Sequence, residues 1–403
     1  MRIGRTVPPA AAPLRGRDLW HGLMGFLSPE RSLAALEEQV RRHFGVPHVF
    51  LLSSGTAALT STLMALKASS SRTGVVIPAY TCSAVPAAVV RAGLRPVLCD
   101  IDPSTFDFDH ASLERALDGS TLCVVAHHLF GIPSDVERLR AVCHGRGILV
   151  VEDAAQALGV EWRGRPLGTL GDVGVFSLGR GKAITCGSGG IIVTRSPRLA
   201  AALAEEYGRL RAPRLAETLS DLVQLALMTA FIRPRLYWIP AALPFLRLGE
   251  TVFPREIRRG RLSGMKAALL HDWRDRLTRA NGIRAKAAGY FSARLPLSLP
   301  CGPSHPYLRL PMLAASREDK ARLHALSQAR GLGLSVAYPK AVSDIPELAA
   351  DFDGQPFPSA RMVAERLVTI PSHGWLSDED KQAILDCVAG AAPAGRPPWR
   401  QAS

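Results

Sequence analysis

Between residues 31 and 192 the chain alternates short apolar runs with amphipathic stretches, and this alternation restricts the fold more than any other feature. Strand runs are read at 49–52, 74–78, 95–100, 122–126, 148–152, 173–178 and 190–194. Helical stretches at 33–43, 54–68, 82–92, 111–117 and 135–144 lie between most of them. Parallel strands need such crossovers, so the pattern predicts an α/β domain with a mainly parallel central sheet flanked by helices.

Past residue 197 the pattern changes. Residues 205–261 read as a long helical stretch interrupted by arginine and proline, and 263–295 as one long helix. Strands at 307–310 and 367–370, with helices at 317–330 and 378–389, suggest a small α+β unit. The expected organisation is a large α/β domain over 18–250, which carries most of the arginine-rich apolar segment 205–261, then a smaller C-terminal α+β domain over 262–392. A flexible tail rich in proline and arginine is expected over 393–403.

Composition excludes several classes. With 403 residues, 47% of them hydrophobic, the chain can bury large cores and is not disordered. Its seven cysteines lie far apart, with no CxxC pair and no zinc spacing, and read as buried free thiols of a reducing cytoplasm with no metal site. Pro8, Pro9 and Pro13 interrupt any apolar signal-peptide core, and the apolar run 222–232 has about 11 residues where a membrane span needs roughly 20. The net charge of +14 comes from scattered arginines with 6% aromatic residues, which argues against nucleic acid but favours small polyanions. Residues 205–261 hold ten arginines and six acidic residues around two apolar runs. Packing between domains or in a dimer is the favoured reading of those runs, with peripheral membrane contact as the alternative.

Lys182 stands out chemically. It follows the strand ending Phe176-Ser177 and precedes Cys186-Gly187-Ser188-Gly189-Gly190, in a chain with seven lysines and 42 arginines. Arginine keeps its charge and cannot form an imine, whereas a lysine desolvated beside another cation can attack an aldehyde. A solvated lysine on a glycine-rich loop is the ordinary alternative. Three further groups fit an aldehyde cofactor carrying a phosphate and a pyridine ring, such as pyridoxal phosphate (PLP). Ser54-Gly55-Thr56 stands at a strand-to-helix turn, where free backbone N–H groups face an anion. Asp153 ends a strand and can hold a ring nitrogen protonated, or simply cap a helix. Gln156, one turn on, can reach the cofactor's phenolic oxygen. Ser177 and Arg180 can add phosphate contacts, though a strand-end serine also bonds its own backbone.

Taken in order, Ser54-Gly55-Thr56-Ala57-Ala58-Leu59, Pro78-Ala79-Tyr80-Thr81, His128-Leu129-Phe130-Gly131, Glu152-Asp153-Ala154-Ala155-Gln156, Gly171-Asp172, and Phe176-Ser177 to Lys182 with Gly189-Gly190 resemble the DegT and StrS family of PLP-dependent sugar aminotransferases. The likeness is dense over 30–200 and thinner beyond. It implies a fold-type I homodimer with the active site at the subunit interface. Lys182 is then the catalytic, cofactor-bonding lysine, Asp153 the partner of the ring nitrogen, Gln156 the neighbour of the phenolic oxygen, and Gly55, Thr56 and Ser177 the phosphate ligands. The implied reaction moves an amino group, from glutamate as the expected donor, to a keto sugar on a nucleotide diphosphate. A keto-cyclitol acceptor and a non-catalytic protein retaining the fold are the alternatives. The chain departs from the family in two places. Cys82 stands where an aromatic residue usually stacks on the cofactor ring, and no clear Asn-x-Arg segment precedes Ser263. Arg259 and Arg261 are the nearest candidates for its substrate contacts, and His128 is a third.

Overall fold

The computed structural model describes residues 2–12, 14–246, 252–254 and 256–390. The expected tail over 393–403 lies outside the described residues. Seven strands, β1 (His48–Leu52), β2 (Gly74–Pro78), β3 (Arg95–Cys99), β4 (Thr121–His127), β5 (Leu149–Asp153), β8 (Val173–Ser177) and β9 (Gly190–Thr194), form one sheet in the order β1-β9-β8-β5-β4-β2-β3. β3, β2, β4, β5 and β8 run parallel, while β9 is antiparallel to both β8 and β1. β2, β4, β8 and β9 are buried along their whole length, which explains their uninterrupted apolar runs. A two-residue pair, β6 (Glu161–Trp162) with β7 (Arg165–Pro166), forms a small hairpin outside the sheet.

The crossover helices are α3 (Gly55–Ala68), α4 (Ala84–Arg91), α5 (His110–Ala116) and α6 (Val136–His144), preceded by α1 (Gly16–Leu27) and α2 (Pro29–Phe44) and followed by α7 (Pro197–Gly208). Local chemistry sets several of their starts: the side chains of Ser54, Asp109 and Asp135 accept from the backbone N–H of Ala57, Ser112 and Arg138. The arginine-rich segment forms α8 (Leu215–Phe231) and α9 (Pro234–Ala241). Residues 256–261 are not helical, and Arg261 pairs with Leu52 at the sheet edge.

The single helix expected over 263–295 is instead two, α10 (Gly264–Ala268) and α11 (Trp273–Ser292). Tertiary contacts override local propensity at the break. Arg276 donates to the Leu269 carbonyl at 2.8 Å, His271 stacks on His21, and Asp272 pairs with Arg17 at 2.5 Å. α10 packs against α1 and α2, so this stretch shares a core with the large domain.

β10 (Arg309–Leu313) and β11 (Leu367–Pro371) pair antiparallel, with α12 (Arg317–Arg330), α13 (Pro358–Arg366) and α14 (Asp378–Gly390) around them. This C-terminal part docks beside β2 and β3. The Tyr80 hydroxyl donates to the Ala337 carbonyl at 2.7 Å, the Val342 N–H to the Ala79 carbonyl at 2.8 Å, and Asp100 accepts from the N–H groups of Ser359 and Ala360 at the start of α13. The docking carries Tyr338 and Arg309 to the C-terminal ends of the parallel strands, where open α/β sheets bind ligands. Among the described residues no helix is long and apolar enough to cross a membrane.

Candidate active site

Register decides which side chains meet above the sheet. β4 and β5 pair so that His127 lies opposite Asp153, and opposed residues of parallel neighbours share a face. Asp153 Oδ1 accepts from the Ala155 N–H at 3.1 Å, and its Oδ2 lies 3.8 Å from His127 Nε2. His127 Nδ1 meets the Thr81 hydroxyl at 2.5 Å. Burial, opposed by Asp153 and reinforced by Lys182, pushes the His127 imidazole down to about 4, so the ring is neutral at pH 7. Its contact with Asp153 is therefore not an ion pair.

Glu152 faces the other way. Its Oε1 accepts from the N–H groups of Leu170 and Gly171, each at 2.6 Å, and its Oε2 from the Gly168 N–H at 2.7 Å. His128 completes the cluster: its Nδ1 accepts from the Ser134 N–H at 3.0 Å, which places the ring proton on Nε2, donating to Glu152 Oε2 at 2.9 Å. The placement of His128 at the substrate is thereby corrected. It is fully buried and both ring nitrogens are engaged, because adjacent strand residues point to opposite faces. His127, the preceding residue, faces Asp153 instead.

Lys182 sits in the 178–189 excursion between the antiparallel strands β8 and β9. α11 holds this loop by two buried guanidinium groups: Arg284 donates to the Lys182 and Ala183 carbonyls at 3.4 and 3.2 Å, and Arg276 to the Thr185 carbonyl at 3.3 Å. Burial lowers the affinity of the Lys182 amine for its proton; Cys82 and Asp153 oppose the shift and Arg309 reinforces it, and the net displacement is downward. An amine so placed is more readily the free base than a solvated one. Replacing Arg284 with methionine leaves two carbonyls without their donor and is expected to cost about 1–3 kcal/mol of stability, measurable by urea unfolding.

The other expected residues fall in two groups. Gly55 and Thr56 open α3, where the first backbone N–H groups have no intrahelical acceptor. A Cβ added at Gly55 would lie 2.6 Å from the Ser177 Cβ, so only glycine lets the helix start approach the end of β8 so closely. Gln156 is buried, with Oε1 accepting from the Phe130 N–H at 3.1 Å and Nε2 donating to the Tyr338 hydroxyl at 3.0 Å, and it lies 3.5 Å from His127 Nε2. Cys82 is half-buried beside Lys182, Arg309 and Tyr338. Arg259 and Arg261 lie elsewhere. Arg259 is paired with Glu206, and Arg261 lies 4.9 Å from the Tyr207 ring centroid, both on the wall of a separate polar cleft that includes Ser53 and Lys266. They do not reach the Lys182 loop within this chain.

Sheet order and the antiparallel β9 are those of solved proteins of known fold. Helicobacter pylori PseC, an aminotransferase involved in the biosynthesis of pseudoaminic acid, superposes with a TM-score of 0.76 at 20% identity over 96% of this chain and 99% of that one. NtdA from Bacillus subtilis, solved with bound cofactor PMP, superposes with a TM-score of 0.71 at 19% identity over 94% of this chain and 82% of that one. Residues 24–217 match the model of the DegT/DnrJ/EryC1/StrS aminotransferase family. Curated relatives include an L-glutamine:2-deoxy-scyllo-inosose aminotransferase of Streptoalloteichus tenebrarius, 37% identical over 49% of this chain and 48% of the relative. The GDP-perosamine synthase of Caulobacter vibrioides is 36% identical over 42% of this chain and 46% of the relative. The chain thus matches about half the length of these relatives.

The residues present fit PLP. An anion-facing helix start closed by Ser177, a buried carboxylate at the end of β5 and a desolvated amine in the loop beside it correspond to a phosphate, a pyridinium nitrogen and an aldehyde.

Proposed function

We propose that the chain is a PLP-dependent aminotransferase transferring an amino group from an amino acid, glutamate or glutamine, to a ketone on a sugar, nucleotide-linked in the first instance. The observation that carries this reading is the convergence of Lys182 and Asp153 at one end of the sheet, near enough for Asp153 to act on the lysine's charge. PLP, when bound, supplies an aldehyde and a protonated ring that withdraws electron density from the donor's Cα. Gly55 and Thr56 bind its phosphate through backbone N–H groups and Ser177 through its hydroxyl. Asp153 keeps the ring nitrogen protonated, and Gln156 lies beside the phenolic oxygen. Lys182 Nζ would hold the aldehyde and, once released by the donor, its free amine would serve as the base that takes a proton from the donor Cα in one half-reaction and, as the acid, would supply a proton to the acceptor carbon in the other. Neutral His127 borders the ring site without adding positive charge.

A keto-cyclitol acceptor is the second reading, supported by the inosose aminotransferase among the relatives. We further propose a homodimer that shares its active site. Leu215, Leu219, Val223 and Leu227 recur every fourth residue on α8 and are exposed in the single chain, consistent with burial between copies.

The test is chemical. Borohydride reduction of the PLP-loaded protein followed by peptide mapping is expected to label Lys182. Incubation with glutamate or glutamine and a panel of keto sugars and keto-cyclitols is expected to release the matching keto acid. A label on another lysine, or on none, would sink the reading.

A further inference from the structure

Between α8, α9 and the N-terminal segment lies an open cavity of about 600 Å³. Its walls are largely apolar, with Phe231, Ile232 and Ile239 of the α8–α9 segment and Leu14 and Ala10 of the N-terminal segment. Gly181, next to Lys182, and Arg309 also line it. A Cβ built at Gly181 would stand 3.8 Å from Arg309 Nη2, so this guanidinium lies against the lysine-bearing loop.

Arg309 is in an unusual position. It projects from β10 among Cys82, Tyr237 and Tyr338, burial lowers its proton affinity, and among the described residues it has no hydrogen bond and no ion pair. Arg309 is half-buried, whereas the buried guanidinium groups of Arg276 and Arg284 each donate to backbone carbonyls. A partly desolvated cation without a partner is stabilised when an anion reaches it. The cavity that Arg309 lines gives an anion a way to reach it. A sugar alone would leave the apolar walls wet.

We propose that the cavity and Arg309 together bind an amphiphilic anion, with a phosphate or carboxylate on Arg309, an apolar chain along α8 and α9, and the reacting ketone beyond the anion at Lys182. This rests on Lys182 as the reacting amine and deepens the reading above by making the acceptor a keto compound joined through an anionic group to an apolar chain. Most of the lining residues belong to the 215–246 segment, which lies almost wholly outside the family match at 24–217. Recognition is by charge-assisted hydrogen bonding at one end and removal of apolar surface from water at the other.

The test uses the PLP-loaded full chain and measures binding rather than turnover. Dodecyl phosphate and dodecanoate are titrated by calorimetry beside inorganic phosphate, acetate and 1-dodecanol. One or both of the amphiphilic anions are expected to bind at least about tenfold more tightly than either the bare anions or the alcohol, and the stronger of the two identifies the head group. Arg309→Gln is expected to weaken that binding roughly tenfold while leaving 1-dodecanol unchanged, and Ile239→Trp, which fills the cavity, to weaken both. Thermal unfolding and the visible absorbance of bound cofactor report whether each variant is folded. The proposal is overturned if the anions bind no better than 1-dodecanol, or if folded Arg309→Gln binds them as the parent does. Loss of the cofactor reading would appear separately, as a colourless parent protein.

Discussion

Lys182→Arg is expected to reduce amino transfer by on the order of 10³-fold or more while the protein remains folded. Arginine matches lysine in charge and approximate reach, and the carbonyl of residue 182 can still accept from Arg284, so the loop keeps its anchor. What is lost is an amine able to give up its proton: a guanidinium stays protonated at any working pH and can neither bond the aldehyde carbon nor relay a proton. Lys182→Ala should be equally inactive, and added methylamine should restore a measurable rate in the alanine variant but not in the arginine variant, where the guanidinium fills the space. Single-turnover assays with a fixed donor would measure both. A Lys182→Arg enzyme within tenfold of the parent would mean that another group does the chemistry.

Glu152→Ala should be the most destabilising single substitution named here, by about 3–5 kcal/mol. It strips the acceptor from three backbone N–H groups and from the His128 Nε2 proton at once, all in a buried setting. Burial alone would raise the Glu152 carboxyl, but His128 and the N–H groups of Gly171 and Gly168 outweigh it and hold the group below its ordinary range. Its folded-state affinity for a proton is thus weaker than in the unfolded chain. The stabilisation is accordingly complete above the unfolded carboxyl value of about 4.3 and is lost as pH falls through the lower, folded one. Denaturant titrations from pH 7 down to pH 3 should show the parent losing stability on the acid side more steeply than the alanine variant, which has no such carboxylate to protonate. Equal slopes would remove Glu152 from the account.

Much of the large domain was legible in the residues because each strand is an apolar run ended by a residue with a local reason to stop it, such as Pro78 or Asp153. Asp153 was legible as a candidate for the same reason, at the end of an apolar run, and Lys182 by its rarity among arginines in a glycine-rich loop. The choice between His127 and His128 was not, because it depends on which face of β4 meets the cleft, and only pairing with β5 fixes that. Arg309 was hidden among 42 arginines; nothing in its neighbours reveals that it lacks a partner. α1 escaped notice because Gly16, Gly22 and Gly25 weaken its helical pattern, while its packing against α10 supplies what propensity does not. The break between α10 and α11 has neither glycine nor proline at 269–272, so no local signal announced it.

Gly190 lies beside Leu52 on one side and Ser177 on the other, and a methyl group there would come within 2.2 Å of the Ser54 carbonyl oxygen. The turn leading into α3 and the return leg of the lysine excursion are therefore wedged together at a single α-carbon, although Ser54 and Gly190 are far apart in the chain. A saturation library read out by thermal stability should return glycine as the one permitted amino acid at that position. Drift in this lineage cannot part the start of α3 from the return leg of the excursion without giving up that close approach.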